Sequence, residues 1–145
     1  NLHVLLRFDL EQALFADDLQ VEALEAAWND RFSADFGLTV DKPTNGLLQD
    51  VHWSFGAFGY FPTYALGNVY AGCLFEVLDA ALPEHRKDLA KGELSTVTNW
   101  LKTNVQIHGG LYAPTDVIRK ATGSTPSEEP LLTYLEGKFT KLYDL

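Results

Sequence analysis

The amino-acid sequence predicts an all-α fold for this chain of 145 residues. Apolar residues recur three and four positions apart in one segment after another, which is the period of a helix with one buried face. The connections are short and contain the glycine, proline, asparagine and aspartate residues that favour turns. No repeat, low-complexity stretch or linker breaks this pattern, so residues 1–145 are expected to form a single helical region.

The first two helices are predicted at residues 2–16 and 21–36, where leucines and aromatic residues follow the helical period. The polar positions of the first helix are expected to face water; they are Arg7, Glu11 and Gln12. The acidic pair Asp17-Asp18 is suited to capping the second helix, and Gly37 is suited to ending it. Both segments are therefore expected to be amphipathic helices.

The third helix is predicted to begin at Pro62, because proline is favoured in the first turn of a helix. The residues from there to Leu82 leave almost no polar face, which predicts a buried helix at the centre of the fold. A glycine inside a helix costs about 1 kcal/mol. Gly67 and Gly72 are therefore expected to serve close packing between backbones.

Four further segments complete the predicted fold. Residues 84–91 are expected to form a solvated turn or short helix with His85 at the surface, and residues 93–106 an amphipathic helix. Pro114 is typical of the start of a short capped helix, and Ser127 is suited to opening the last helix. Every predicted element is therefore helical.

Composition excludes several classes of function. The formal charge of -9, with only 11 lysine and arginine residues, leaves no basic face for phosphates, so no nucleic acid or anionic membrane is expected as a partner. No apolar stretch reaches the roughly 18 residues of a membrane span, and the N-terminus lacks the pattern of a signal peptide. The single cysteine, Cys73, lies in an apolar run, which favours a reducing compartment and hence a cytoplasmic location.

The chain contains no methionine and opens at Asn1 inside a helical pattern. We therefore expect it to be a piece of a longer protein, truncated at its N-terminus. Residues that its function requires can then lie in the part that precedes Asn1.

The segment from Gly46 to Tyr64 combines polar, aromatic and glycine residues in a way that is unusual for a core. Each polar side chain in it costs free energy if it is buried without a partner. His52 is followed by Tyr60 and Tyr64, and the glycines in between let the chain bend tightly. The sequence predicts that these three side chains converge on a cleft; the alternative is that they pack as ordinary core and helix-start residues.

No metal site or nucleophile is predicted elsewhere. The four histidines are scattered, and none has a second histidine or a carboxylate at the spacing of a zinc-binding helix. No serine occupies a nucleophile turn, and Cys73 is expected to be inert in the core. No metal ligand is therefore assigned in residues 1–145.

The polar segment resembles the GxxQDxHW signature of the carboxypeptidase Taq family of zinc carboxypeptidases. Every fixed position of the signature is present, in the residues Gly46, Gln49, Asp50, His52 and Trp53. The stretches at residues 1–8, 58–67 and 134–139 are also similar to that family. The likeness covers the whole chain and implies that it corresponds to the C-terminal part of such an enzyme.

This resemblance implies a mainly helical, zincin-like and homodimeric metallopeptidase that removes residues from peptides with a free C-terminus. The family holds zinc with an HExxH motif and a later glutamate, and HExxH is not present here. Zinc is therefore implied in the full-length parent, and the zinc-binding region is expected to be absent from this chain. The fragment alone is expected to have no cofactor and no activity. The arginine that grips the substrate carboxylate is also expected to lie in the missing part, and Arg7 does not replace it.

The resemblance further implies roles for the motif residues. In related HExxH peptidases a histidine and a tyrosine at a similar interval stabilise the oxygen of the attacked carbonyl, which makes His52 and Tyr64 the candidate catalytic residues. Tyr60 is expected to contact substrate. Gln49 and Asp50 are expected to orient His52 or its loop through hydrogen bonds, with a purely structural role as the alternative.

The alternative function is a non-enzymatic helical binding or dimerisation module, in which the aromatic and histidine cluster packs a core or receives a partner. A degenerate relative that has lost its metal is a third possibility. An upstream reading frame that encodes HExxH and a later glutamate would favour the enzyme over both.

Overall fold

The computed structural model describes all 145 residues and contains seven α-helices and no β-strand. The helices are α1 (Leu2–Phe15), α2 (Leu24–Phe36), α3 (Pro62–Ala81), α4 (His85–Ala90), α5 (Ser95–Asn104), α6 (Pro114–Thr122) and α7 (Glu129–Tyr143). Single 3-10 turns lie at Val21–Ala23, Pro43–Asn45, Trp53–Phe55 and Gln106–His108. The prediction of an all-α fold is confirmed. None of the helices combines the length and the apolar composition that crossing a lipid bilayer requires.

The chain forms two compact units, Asn1–Leu66 and Gly67–Leu145. In the first unit α1 packs against α2. Their buried residues form the core of this unit, and they are Leu6, Leu10, Leu24 and Trp28. Leu6 and Trp28 are completely shielded from solvent, so the packing between α1 and α2 is tight. Residues 46–61, which we call the polar loop, lie against this helix pair.

The prediction that the acidic pair Asp17-Asp18 caps α2 is wrong. Asp17 adopts a left-handed conformation with a φ of 60°, and the amide of Asp18 donates to the carbonyl oxygen of Ala13 at 3.0 Å. This left-handed turn with its bond back into the helix is how helices commonly end, so the pair closes α1. Gly37 ends α2 as predicted, with a φ of 65° and its amide bonded to the carbonyl oxygen of Ser33.

The prediction that α3 is buried along its length is wrong. Only Cys73 and Leu78 of its 20 residues are buried, and Leu66 is half exposed. In the second unit α7 covers the part of α3 that holds Gly72 and Phe75. An apolar composition on all sides leads to burial only where neighbouring elements cover all sides, and the sequence of a single helix does not specify its neighbours.

His85 is buried, with 2% of its surface exposed, and the prediction of a surface residue is wrong. Its Nδ1 donates to the carbonyl oxygen of Leu82 at 2.7 Å, and its ring meets that of Phe75 edge-on. The carboxylate of Asp79 lies 3.7 Å from Nε2. The imidazole can lie inside the second unit because the carbonyl at the end of α3 satisfies its donor.

Gly72 allows α3 and α7 to approach closely. A Cβ atom at this position would lie 2.8 Å from the backbone nitrogen of Leu131, whereas a Cβ atom at Gly67 would meet nothing within 4 Å. We expect Gly72→Ala to lower the free energy of unfolding by about 1–3 kcal/mol, because a helix backbone must move. The control Gly67→Ala should raise it by about 0.5–1 kcal/mol through helix propensity. Urea denaturation measures both, and equal changes would contradict the packing role of Gly72.

Candidate active site

Three glycines shape the polar loop. A Cβ atom at Gly46 would lie 2.7 Å from Cγ1 of Val40 and 3.3 Å from the ring of Trp28, so this residue lets the loop pass close to α2. Gly56 and Gly59 have φ values of 70° and 73°, in the left-handed region that other residues rarely adopt. The loop therefore folds back on itself before α3 begins.

His52 and Tyr64 form a hydrogen bond, with 3.0 Å between Nε2 and Oη and an angle of 81° between their rings. The ring centre of Tyr60 lies 5.6 Å from that of His52 and 5.3 Å from that of Tyr64. Tyr64 is 44% exposed and Tyr60 49%, while the His52 side chain is 25% exposed. The three side chains that were predicted to converge are thus adjacent, and both tyrosines are open to solvent.

Asp50 contacts His52 in two ways. Its Oδ1 accepts the backbone N–H of His52 at 3.2 Å and lies 3.2 Å from His52 Nδ1, while its Oδ2 accepts a hydrogen bond from Nε of Arg7. Burial acts to raise the pKa of Asp50, but the charge of Arg7 and the hydrogen bonds from His52 and Arg7 outweigh it and lower that pKa below its usual 3.8. Asp50 is therefore an ionised acceptor at neutral pH.

Arg7 is buried in the first unit, with 5% of its surface exposed. Its guanidinium carbon lies 5.6 Å from the ring centre of Trp28 and 5.7 Å from that of Phe61, within the range of cation–π attraction. Asp50 supplies the opposite charge. Arg7 therefore ties the polar loop to α1, and its charge is already paired.

His3 and Gln49 extend this network along α1. Nη1 of Arg7 donates to Nδ1 of His3 at 2.9 Å and to the His3 carbonyl oxygen at 3.2 Å. Since arginine can only donate, Nδ1 must accept and the imidazole must be neutral. Burial and then the charge of Arg7 lower the pKa of His3 from its usual 6.5, which is consistent with that state. The amide nitrogen of Gln49 lies 3.2 Å from the same His3 nitrogen, so Gln49 contacts α1 and not His52.

Glu11 holds the second half of the polar loop. It is buried, and its Oε2 accepts the indole N–H of Trp53 at 2.8 Å. Its Oε1 accepts the backbone N–H of Gly59. One carboxylate on α1 thus binds both ends of the turn between Trp53 and Gly59.

The prediction that Arg7 and Glu11 face water is wrong, whereas Gln12 is exposed as predicted. His3, Arg7 and Glu11 are spaced four residues apart and therefore share one face of α1. This polar stripe is the feature of the sequence that could have indicated a second packed face on α1. Its burial could not be predicted because its partners come from the polar loop, which is distant in sequence.

A shallow cleft of about 240 Å³ opens beside Tyr64. Its lining combines two apolar side chains with the charged network, and consists of His3, Val4, Arg7, Asp50, Phe61 and Tyr64. A ligand in this space would contact Tyr64 as part of the lining.

No three His, Cys, Asp or Glu side chains in residues 1–145 are placed to hold a metal ion together. The carboxylates of Asp50 and Glu11 are each taken up by hydrogen-bond donors, and both ring nitrogens of His52 have partners. The residues of this chain therefore do not fit the zinc site that the family resemblance implies.

A sequence model of the carboxypeptidase Taq (M32) metallopeptidase family matches residues 1–139. The chain belongs to this family. The resemblance inferred from the polar loop and from the stretches at residues 1–8, 58–67 and 134–139 is thereby confirmed.

Two relatives and one solved structure illustrate the M32 match. Carboxypeptidase 1 of Bacillus subtilis is 40% identical over 142 residues, covering 98% of this chain, and thermostable carboxypeptidase 1 of Thermus thermophilus is 39% identical over 143 residues, covering 99%. The crystal structure of the M32 carboxypeptidase from Deinococcus radiodurans covers the whole chain with a TM-score of 0.94 and 38% identity, over 29% of its own length. This M32 chain spans 28% of the length of the curated relatives it matches.

Proposed function

We propose that this chain is the C-terminal part of a zinc-dependent metallocarboxypeptidase, which hydrolyses C-terminal residues from peptides with a free C-terminus. Membership of the M32 family supports the proposal. The observation that carries it is the hydrogen bond between His52 Nε2 and Tyr64 Oη, formed where Tyr64 is open to solvent. The chain would supply one wall of the cleft that receives the substrate.

The chemistry proposed for this wall is stabilisation of negative charge. When water adds to a peptide carbonyl, the carbon becomes tetrahedral and its oxygen becomes negative. A phenol O–H or an imidazolium N–H can donate to that oxygen, and loss of one such donor typically costs about 100- to 1,000-fold in rate. His52 and Tyr64 are the proposed catalytic residues, and Tyr60, beside them, is proposed to contact substrate.

The Tyr64 hydroxyl has a single proton to share between His52 and a substrate oxygen. With neutral His52, the hydroxyl donates to Nε2. With protonated His52, Nε2–H donates to the phenol oxygen, and the hydroxyl proton can turn towards the substrate. Asp50 accepts from Nδ1–H in both states, so it is proposed to orient the ring throughout, while Gln49 is proposed to steady the loop through His3.

Zinc, when bound, supplies Lewis acidity to reactions of this class. The proposal assigns its ligands to protein outside residues 1–145, because this chain has no group of side chains that could hold it. We also propose a homodimeric full-length protein on the basis of the family resemblance, and a cytoplasmic location on the basis of the single unpaired cysteine.

The test uses the full-length protein that contains this chain, purified with zinc, and a peptide in two forms, with a free and with an amidated C-terminus. We expect release of the C-terminal residue from the free form only, and no release by the isolated 145-residue chain with added zinc. No release by the full-length protein would contradict the proposal and favour a binding or dimerisation module. Turnover by the isolated chain would contradict the proposed division of roles.

A further inference from the structure

The proposed function gives no role to Arg7, which is nevertheless a buried cation at the base of the site. Its Nε donates to Asp50, its Nη1 lies 2.9 Å from His3 Nδ1, and its guanidinium faces the rings of Trp28 and Phe61. A buried charge is costly unless it is paired and hydrogen-bonded. These contacts fix the position of the Arg7 side chain, and they therefore also fix the position of the Asp50 carboxylate that it binds.

The contacts of Asp50 determine which nitrogen of His52 carries the proton. An ionised carboxylate can only accept, so the Nδ1 that lies 3.2 Å from Asp50 Oδ1 must be the protonated nitrogen. In the neutral ring Nε2 then has a lone pair, and it accepts the Tyr64 hydroxyl at 3.0 Å. Each link in the series from Arg7 to Tyr64 thus has a defined donor and acceptor.

We propose that Arg7 is a positioning residue for the His52–Tyr64 pair: it orients the Asp50 carboxylate so that His52 keeps its Nδ1 proton on Asp50 and directs Nε2 at Tyr64. This orientation is the same in the neutral ring, where Nε2 accepts the Tyr64 hydroxyl, and in the protonated ring, where Nε2–H leaves the hydroxyl proton for substrate. This inference rests on the proposed function for its catalytic consequence, but the tautomer itself is a property of the site. The bond that Arg7 makes to Oδ2 leaves Oδ1 directed at His52. Without Arg7, Oδ2 would lose its partner, and the carboxylate could rotate away from His52.

The experiment compares Arg7→Met with the control Arg31→Met in the full-length protein. Arg31 is on α2, pairs with Asp9 at 2.9 Å and Asp35 at 2.8 Å, and has a 41% exposed side chain. We expect Arg7→Met to lower kcat by about 10- to 100-fold with little change in KM or zinc content, an effect of the size that loss of an outer hydrogen-bond partner has at metal-bound histidines. Arg7→Lys should recover part of the loss because it restores the charge, and Arg31→Met should leave kcat unchanged.

The decisive readout is the tautomer of His52, measured by NMR of deuterated protein with ¹⁵N-labelled histidine and assigned with His52→Gln. The unsubstituted protein should show the Nδ1-protonated form, and Arg7→Met should shift the population towards the Nε2-protonated form. An unchanged tautomer in Arg7→Met would overturn the proposal. If Arg7→Met fails to fold, Asp50→Asn should give the same shift, and a tautomer unchanged in that variant would also overturn it.

The two proposals fail in different ways. If Tyr64 proves dispensable for turnover but the tautomer depends on Arg7, the proposed function is wrong and the positioning role stands. If Tyr64 is required for turnover but the His52 tautomer does not depend on Arg7, only the positioning role is wrong.

Discussion

Replacement of Tyr64 by phenylalanine in the full-length protein is expected to lower kcat by about 100- to 1,000-fold, with a much smaller change in KM. The substitution removes only the hydroxyl, which lies 3.0 Å from His52 Nε2 and is the donor proposed for the carbonyl oxygen. A donor that acts mainly in the transition state contributes to kcat and not to substrate binding. Steady-state kinetics with a peptide substrate, together with zinc content, measures the effect.

Two tyrosine variants provide controls for this prediction. Tyr60→Phe alters a neighbouring hydroxyl of similar exposure, and we expect it to change KM more than kcat because Tyr60 is proposed to contact substrate. Tyr134→Phe, on α7 in the second unit, should have no effect on either constant. Unchanged kcat in Tyr64→Phe would contradict the catalytic role. A loss of zinc equal to the loss of activity would instead make Tyr64 a structural residue.

Replacement of Glu11 by alanine is expected to lower the free energy of unfolding by about 2–3 kcal/mol. Each hydrogen bond to a charged group contributes about 1.5–3 kcal/mol, and water that enters the space left by the carboxylate can restore part of the lost hydrogen bonding. The indole N–H of Trp53 and the backbone N–H of Gly59 would both lose their acceptor. Turnover should also fall, since the turn between these two residues connects His52 to the first turn of α3. Urea denaturation followed by Trp fluorescence, together with kcat, measures both effects.

The matched control for Glu11 is Gln12→Ala, which changes the next residue of α1 at an exposed position. We expect its unfolding free energy to stay within about 0.5 kcal/mol of the unsubstituted protein. If Glu11→Ala behaves in the same way, the carboxylate does not hold the polar loop. If stability falls but kcat does not, the loop is held for stability and the geometry of His52 is set elsewhere.

Much of the secondary structure could be predicted because it depends on residues close together in sequence. The helical period of residues 2–16 and 21–36 and the glycine after the second segment are local properties, and α1 and α2 appear there. The burial of individual helices was harder to predict. The apolar pattern of α3 predicted a central helix, yet most of it is not buried, and His85 lies inside although its neighbours are charged. Burial depends on which elements pack together, and one segment does not contain that information.

In the candidate site, too, the features that depend on residues close together in sequence could be predicted, and those that depend on distant residues could not. The approach of His52 to Tyr64 could be predicted from the sequence because only twelve residues separate them and two glycines in left-handed conformation turn the chain between them. The roles of the site residues remain predictions. Family membership also followed from the sequence, because the motif residues lie close together between Gly46 and Trp53.

The contacts that hold the site in place could be identified only from the folded chain. Arg7 and Asp50 are 43 positions apart, and Glu11 and Trp53 are 42 apart. A charged side chain on an amphipathic helix faces water unless another segment brings a partner for it, since burying an unpaired charge costs far more than a hydrogen bond returns. The sequence contains the polar stripe on α1 and the polar loop as separate features. Their pairing arises when α1 packs on α2, because that contact places the stripe under the loop and gives each buried charge its partner.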